Sequence, residues 1–378
     1  MKTLHRRCGG LDVHSDSVVA CAGGARDHAH SNGGHRRLLE ADLAHPSCPP
    51  AVLANAAHIR NVPGRKSDVN DAVWISDLLA HGLIRASFVP PAQIQDVRDL
   101  TRTRTQLARE VAQHIQRIQK TLEDANIKLT SVISNIIGTS GRRMLKAMIA
   151  GETNPAKLAQ LGSTRLKCPR DELTAALDGR PTAHHRFLIA HHLSLIEELE
   201  RHIEAFDARI EKLLAPLRDA VAQLITIPGV SQVSAQVILA EIGAEMTPFP
   251  TAGHLLSWAG LVPRLDESAG KRRSTRVRKG APWLKPVLVQ CAWGAARSKG
   301  SYYQVQFFRL KARRGSKKAA IAVAASLLTA AYHMLKNGTF HQDLGADFLV
   351  KRDKARIVTK LASRIKDLGY GVSITPPA

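Results

Sequence analysis

Acidic residues are scarce in this chain: 32 Asp and Glu stand against 54 Lys and Arg, which leaves a formal net charge of +22 over 378 residues. That imbalance points to a polyanionic partner, because each phosphate neutralised by Lys or Arg releases condensed counterions without any sequence readout. Nucleic acid is the first partner class. An anionic membrane surface is the second, but the chain has neither a basic amphipathic helix nor a lipid-anchor motif. A run of 18 or more apolar residues is also missing, and the N-terminus MKTLHRRCGGLDVH has no signal-peptide stretch. The expected location is the cytoplasm, in association with the nucleoid. Cysteine is sparse as well: Cys8, Cys21, Cys48, Cys168 and Cys291 form no CxxC pair, which excludes a disulfide scaffold and a zinc ribbon. The 17 histidines fall mostly in loop-like or helix-surface contexts and do not mark a zinc site. What is present, 44% hydrophobic residues, suffices for a globular chain, and the length suggests two or three domains.

Along the chain, GLDV (10–13), a polar His14-Ser15-Asp16 turn and the run VVACA (18–22) predict a strand pair with Asp12 near the end of the first strand. Residues 23–50 are then short of apolar side chains, with Leu38, Leu39 and Leu43 the only large ones. At most one short helix fits there, over 36–45. A buried strand is predicted over 51–59, followed by the Pro63-Gly64 turn. Ser67 is a suitable N-cap for a helix ending at Gly82, in which Asp68, Asp71, Ile75 and Leu78 follow 3, 4, 3 spacing. Both carboxylates therefore share the apolar face. After Pro90 and Pro91, Val97, Leu100, Leu107, Val111, Ile115, Ile118 and Leu122 mark a long amphipathic helix. A second stripe, Ile189, Ile196, Leu199, Ile203, Phe206, Ile210 and Leu213, keeps heptad rhythm, so the two can form an antiparallel coiled coil or mediate self-association.

The last third opens on ITIPGVSQVSA (225–235), which resembles a helix-hairpin-helix whose turn, around Gly229, offers backbone N–H groups to a phosphate. Ser231 stands where a second glycine is common. Lys271, Arg272, Arg273, Arg276, Arg278 and Lys279 put six cations into nine residues. A second cluster, Arg309, Lys311, Arg313, Arg314, Lys317 and Lys318, follows Tyr302, Tyr303, Phe307 and Phe308, a mixture suited to phosphate contact with base or sugar stacking. The run AAIAVAASLLTAAYHML predicts a buried helix, and the tail from Lys351 is basic.

Two constellations carry chemistry. Asp12, Asp68 and Asp71 can converge on one hard cation, Mg2+ or Mn2+, if the helix packs beside the strand; the plain alternatives are a turn aspartate and two carboxylates favouring a helix N-terminus. Ser268, directly ahead of the densest cations, is either a nucleophile or a loop serine before a glycine. Lys271, Arg272 and Arg273 suit the nucleic-acid backbone, with a solvated charged face as the alternative.

The blocks GLDVH (10–14), NVPGRKSDVNDA (61–72), HGLIRASFVPP (81–91), IPGVSQVSAQVILAEIG (227–243) and FPTAGHLLSWAGLVPRLDESAGKRRSTRVRKGAPWLKPVLVQCAW (249–293) resemble the DEDD-type insertion-sequence transposases of the IS110 family, in its IS1111-like group, which are bridge-RNA-guided recombinases. The resemblance implies an α/β plus α fold. A RuvC-like, RNase H-type domain, truncated here, would occupy 1–91, a helical coiled-coil region 92–217, a mainly helical C-terminal domain with the helix-hairpin-helix-like motif 218–345, and a basic tail 346–378. It also implies that Asp12 is the first acid, Asp68 and Asp71 the third and fourth, and Ser268 the serine that becomes covalently linked to DNA. The implied partners are DNA, a structured guide RNA and further copies of the chain in a dimer or tetramer built through the coiled coil, with a composite site from different subunits. The second acid, a glutamate on a strand in a Met-Glu-[Ser/Ala]-Thr-Gly-type context, has no counterpart. Glu40 is the only glutamate in 23–50, its context does not match, and the role is not carried onto it. Two other activities stay open: a catalytically inactive nucleic-acid-binding remnant, and a RuvC-like nuclease.

Overall fold

The structure, a computed structural model, describes residues 8–14, 17–22, 51–55, 78, 81, 83, 88–263, 266–268, 270–274 and 276–373. It divides into two compact units, Met1–Pro90 and Pro91–Ala378. In the first, β1 (Cys8–His14), β2 (Ser17–Ala22) and β3 (Ala51–Asn55) form an antiparallel meander in the order β1-β2-β3. Leu11 faces Val19 and Asp12 faces Val18 in register, with an irregularity between Asp12 and His14. On the other side of β2, Val19 faces Leu53. The strand pair at 10–22 is therefore present, and of the strand predicted over 51–59 the described part, 51–55, is extended, while 56–59 lie outside the described residues. Two strands that pair directly are separated by residues 23–50, and within the described residues β1 and β3 each pair on one side only. The predicted 67–82 helix, with Asp68 and Asp71, lies outside the described residues except for Leu78, which is helical and buried, and His81, which is in a turn.

The second unit is helical apart from one small β-ribbon. Immediately after Pro91, α1 (Ala92–Asp124) runs for 33 residues, about 50 Å at the helical rise. Short helices α2 (Leu129–Val132), α3 (Thr139–Ile149), α4 (Pro155–Gln160) and α5 (Arg170–Leu177) precede α6 (Ala183–Leu213). Asn154 caps α4 through its side chain ahead of Pro155, and Thr182 and His185 form a reciprocal capping box on α6. Contacts between α1 and α6 join Arg104 to Asp207 and His114 to His192, so the two helices are antiparallel. The pairing is uneven. At one end Ile118, Leu122, Ile189, Leu193 and Ile196 are buried with Leu129, Met144, Leu145, Met148, Leu158 and Leu177, a core closed by the short helices between the two stripes. Midway, Leu107, Val111, Leu199, Ile203 and Phe206 are only half-buried, because within this unit two helices alone cannot cover both sides of a seam.

The other end of α1 docks on the C-terminal bundle. This contains α7 (Arg218–Ile225), α8 (Gln232–Ile242), α9 (Ala252–Ala259), the strands β4 (Asp266–Ser268) and β5 (Lys271–Ser274), α10 (Leu284–Ala295), α11 (Tyr302–Arg314), α12 (Ser316–Asn337) and α13 (Phe348–Asp367). At its centre α12 contacts α7, α9, α10 and α11, with Val323, Ala324, Leu327, Leu328 and Ala331 buried. Small residues let its neighbours approach, and the fully buried Tyr332 hydroxyl donates to the Phe249 carbonyl at 2.9 Å. This helix is also long and apolar enough to cross a membrane, although no single unbroken apolar run is; here half of its most apolar window is buried against other helices. Most of the basic tail from 346 is helical, in α13, whose sequence FLVKRDKARIVTKLASRIKD is basic and amphipathic, which corrects the expectation that the chain has no such helix.

Docking of α1 rests on a buried charge. Glu241, at the end of the apolar α8, has a side chain 3% exposed and accepts two hydrogen bonds from Arg102, at 2.7 and 2.9 Å. Arg98 donates to the Ala240 and Glu241 carbonyls, two of the acceptors that a helix C-terminus leaves unsatisfied. Arg102→Ala leaves the Glu241 carboxylate buried without its fork and should cost about 3 kcal/mol in denaturant unfolding. Arg104→Ala, whose partner Asp207 is 39% exposed, should cost under about 1 kcal/mol. Comparable losses would mean that burial does not set the value of the Glu241 pair.

A second device holds the segment after α12. Tyr303 and His341 share a 3.1 Å hydrogen bond, and Asp343 accepts from the Tyr302 backbone N–H. Burial lowers the His341 pKa, partly opposed by Asp343. A histidine whose folded pKa is depressed contributes stability that is complete above its unfolded value, near 6.5, and is lost as pH falls through 6.5 towards the folded value. Thermal melts at a series of pH values should show a steeper loss below about pH 6.5 in the wild type than in His341→Gln; parallel curves would refute the assignment.

Candidate nucleic-acid interface

The serine and the first basic cluster lie on one β-ribbon, and its base is fixed by two glycines. Gly260 ends α9 in the left-handed region at φ 70°, and Gly280 sits at φ 64°. Their backbones touch: a Cβ on Gly260 would lie 2.5 Å from the Gly280 Cα, and one on Gly280 would lie 2.3 Å from the Ala259 carbonyl oxygen. Both residues thus need glycine twice over, for conformation and for space. From this base the two legs pair at Pro263 with Val277, then at Asp266 with Ser274, Glu267 with Arg272 and Ser268 with Lys271. The register slips between Asp266 and Glu267, a bulge that adds twist to a ribbon. Gly270, at φ 73° with open space around it, makes the turn.

Ser268 is therefore the last residue of the outgoing strand, directly opposite Lys271. The outgoing leg carries Asp266 and Glu267, and the return leg carries the cations. Lys271, Arg276, Arg278 and Lys279 are exposed, whereas the side chains of Arg272, Arg273 and Ser268 lie outside the described residues. The return leg is anchored where Lys285 donates to the Arg278 carbonyl at 2.8 Å; burial lowers the Lys285 pKa. Beyond it, Trp283 lies under two guanidinium groups of α1, with Arg102 at 5.8 Å and Arg109 at 5.3 Å from its ring centroid. The glycine pair and Trp283 escaped the sequence reading. A glycine at each end of a charged block was the available signal, but it names no contact.

The turn at 226–231 joins α7 to α8. Gly229 has φ 83°, and a Cβ there would come within 2.4 Å of the Cys291 carbonyl and the Ala295 amide on α10. Gly294 supplies the facing space, so packing alone requires Gly229 to be glycine. Its other side is exposed, as are Ser231, Gln232 and Val233 in the first turn of α8. Ser231 caps that helix by accepting from the Ser234 N–H, the work expected of an N-cap serine.

In the second cluster Lys311, Arg313 and Arg314 occupy the exposed last turn of α11, where cations complement the helix dipole, and Lys317 and Lys318 open α12. The aromatic part of that reading is corrected. Tyr303 and Phe307, 4% and 3% exposed, belong to the core because their four-residue spacing points both at the bundle. Phe308 is exposed, with the Lys311 ammonium 5.6 Å from its ring centroid. Among the described residues no group of three or more His, Cys, Asp or Glu side chains could hold a metal. The side chain of Asp12 and the whole of Asp68 and Asp71 lie outside them.

A family model described as "Transposase IS116/IS110/IS902 family" matches residues 221–306, which include the α7–α8 turn, the ribbon and α10. A second, described as a transposase and of the DEDD type, matches residues 28–127. The latter range takes in 28–50, which corrects the expectation that 23–50 falls outside the resemblance, and it begins after Asp12. The "Insertion element IS110 uncharacterized 43.6 kDa protein" of Streptomyces coelicolor is 27% identical over 312 residues, 74% of this chain and 73% of that protein.

Gly260→Ala and Gly280→Ala each force backbone apart at the ribbon's base, and each should cost about 2 kcal/mol or more by thermal or denaturant unfolding. Gly270→Ala meets only the cost of its positive φ, about 1 kcal/mol. Equal effects at the three positions would contradict the pinned base.

Proposed function

Since the chain belongs to the IS110 family of insertion-sequence transposases, we propose that it cuts and rejoins DNA strands with Ser268 as the nucleophile, under the direction of a structured guide RNA. The observation that carries this reading is the position of Ser268 at the end of a pinned ribbon, opposite Lys271 and ahead of a run of exposed cations. Lys271, with Arg272 and Arg273, holds the scissile phosphate and stabilises the charge that develops on it. The Ser268 hydroxyl attacks phosphorus, a phosphoserine ester forms, and the displaced sugar oxygen takes a proton. Attack by a sugar hydroxyl of the partner strand reverses these steps and regenerates the serine.

Asp12, Asp68 and Asp71 would supply three carboxylates, hard oxygen ligands that suit Mg2+ or Mn2+. A metal held there would sharpen a nucleophile and stabilise a leaving oxygen. In this reading the acids of one subunit and the serine of another complete the site, with assembly through α1 and α6. Gly229 and the open first turn of α8 contact a phosphate. Arg276, Arg278, Lys279, Arg313 and Arg314 grip the backbones of DNA and guide RNA.

A second reading is supported by one specific observation: residues 23–50 hold only Glu40 as a glutamate, outside the family's sequence context. A chain short of one acid would bind nucleic acid without cutting it. One experiment separates the two. Purified protein, guide RNA and DNA with Mg2+ should give a covalent protein–DNA adduct that disappears in Ser268→Ala, while Asp12→Ala and Asp68→Ala lose recombination and keep salt-sensitive binding. Binding with a steep salt dependence and no adduct would establish the binding-only chain, and metal-dependent cleavage without an adduct would establish a nuclease.

A further inference from the structure

His114 on α1 and His192 on α6 face each other across the helix pair, with their Nδ1 atoms 3.2 Å apart and their rings tilted by 51°. We infer that this pair is a binding site for a borderline transition-metal dication of the Zn2+ or Ni2+ class, which clips the two long helices together. Two imidazole nitrogens about 2.0–2.1 Å from one tetrahedral metal are about 3.3–3.4 Å apart, so the observed separation is already close to the bite such an ion needs. Without metal, one ring donates its Nδ1 proton to the other. With metal, each neutral ring keeps its single proton on Nε2, and no proton is released. Metal binding by imidazole requires neutral rings, and burial, with Arg117 and His191 nearby, lowers the pKa of both histidines.

The remaining coordination positions fall to water, because among the described residues no third His, Cys, Asp or Glu side chain completes the set. Arg117 repels a dication and limits its affinity. Nitrogen donors select this class over Mg2+, which prefers oxygen, so the site is chemically distinct from the three carboxylates. The clip sits where the helix pair is thinnest. Leu107 and Val111 precede His114 on α1, Leu199 and Ile203 follow His192 on α6, and all four are half-buried. A metal at this level supplies cohesion that the apolar seam lacks.

The test uses the full-length chain stripped of metal and titrated with ZnCl2 at about pH 7.5. Its Tm should rise by about 3 °C once free metal is about tenfold above the binding midpoint, with one ion bound per chain. MgCl2 should not reproduce the rise. His114→Gln and His192→Gln should each abolish it, whereas His254→Gln, at an exposed site far along the chain, should keep it. A wild-type Tm that does not move, or a rise that survives both substitutions, overturns the site. Co2+ added to the wild-type chain gives a readout that needs no variant: the intense absorption of tetrahedral nitrogen-bound Co2+ is expected, and the weak octahedral spectrum alone would overturn the proposal.

Discussion

The Glu241 carboxylate is the constraint to which much of the helical unit answers. It is buried at the end of a helix whose residues from Ala235 to Ile242 are all out of solvent, where an unpaired charge would cost several kcal/mol. Among the described residues α1 supplies the compensation, with Arg102 forked onto both oxygens and Arg98 on the helix-end carbonyls. Turning α1 by one residue would swing Arg102 about 100° away from its partner. The rotation of a helix about 50 Å long is therefore set by one buried acid, which a purely apolar contact, tolerant of sliding, would not achieve. The same rotation puts Arg102 and Arg109 over Trp283. The docking of the long helix and the start of α10, into which the return leg of the ribbon leads, are thus one arrangement.

The ribbon solves a different problem. A net charge of +22 repels itself wherever it is concentrated, and a mobile loop of cations would spread out. The Gly260–Gly280 contact closes the loop at its base, and the cross-strand ladder carries the restraint outward to Ser268 and Lys271. The ordering entropy is met by backbone pairing above a base where two glycines touch. This matches the division of labour in the bundle. The buried helices α8 and α12 are built from Ala, Val, Ile and Leu, and the cations of the second cluster stand at the junction of α11 and α12.

Periodicity made the long elements legible. The stripes through Ile118 and Leu122 and through Ile189 and Ile196 predicted the two long helices, and the segments GLDV and VVACA on either side of a polar turn predicted the hairpin. The half-buried middle of the seam was not legible, because a heptad pattern states which residues face a partner and not whether a third element covers them. Residues 125–182 carried no diagnostic pattern and yet form the core that closes one end, a product of contacts between short helices far apart in sequence. Tyr303 and Phe307 misled for a related reason. Next to cations an aromatic pair suggests stacking, but spacing of four on a helix is also the spacing of a core face, and burial decides between the two. For the candidate site, the positions of Ser268 and Lys271 in the chain suggested their proximity, while the Gly260–Gly280 base joins residues 20 apart through backbone alone, which no side-chain pattern records.

The basic balance and the buried Glu241 follow one electrostatic logic from opposite sides. Carboxylates are in the minority, so each one held by an arginine removes a cation from the surface pool and fixes it to the scaffold. Arg102 with Glu241, Arg104 with Asp207 and Arg142 with Glu200 are three such pairs, and each ties an element to α8 or α6. By contrast, Lys271, Arg276, Arg278, Lys279, Arg313 and Arg314 stand exposed on the ribbon and at the α11–α12 junction, outside these pairs. Phosphate contact needs a cation that is not already neutralised, since counterion release scales with the number of free positive charges brought to the backbone. The internal pairing of charge therefore separates the arginines that hold the fold from those open to a nucleic acid.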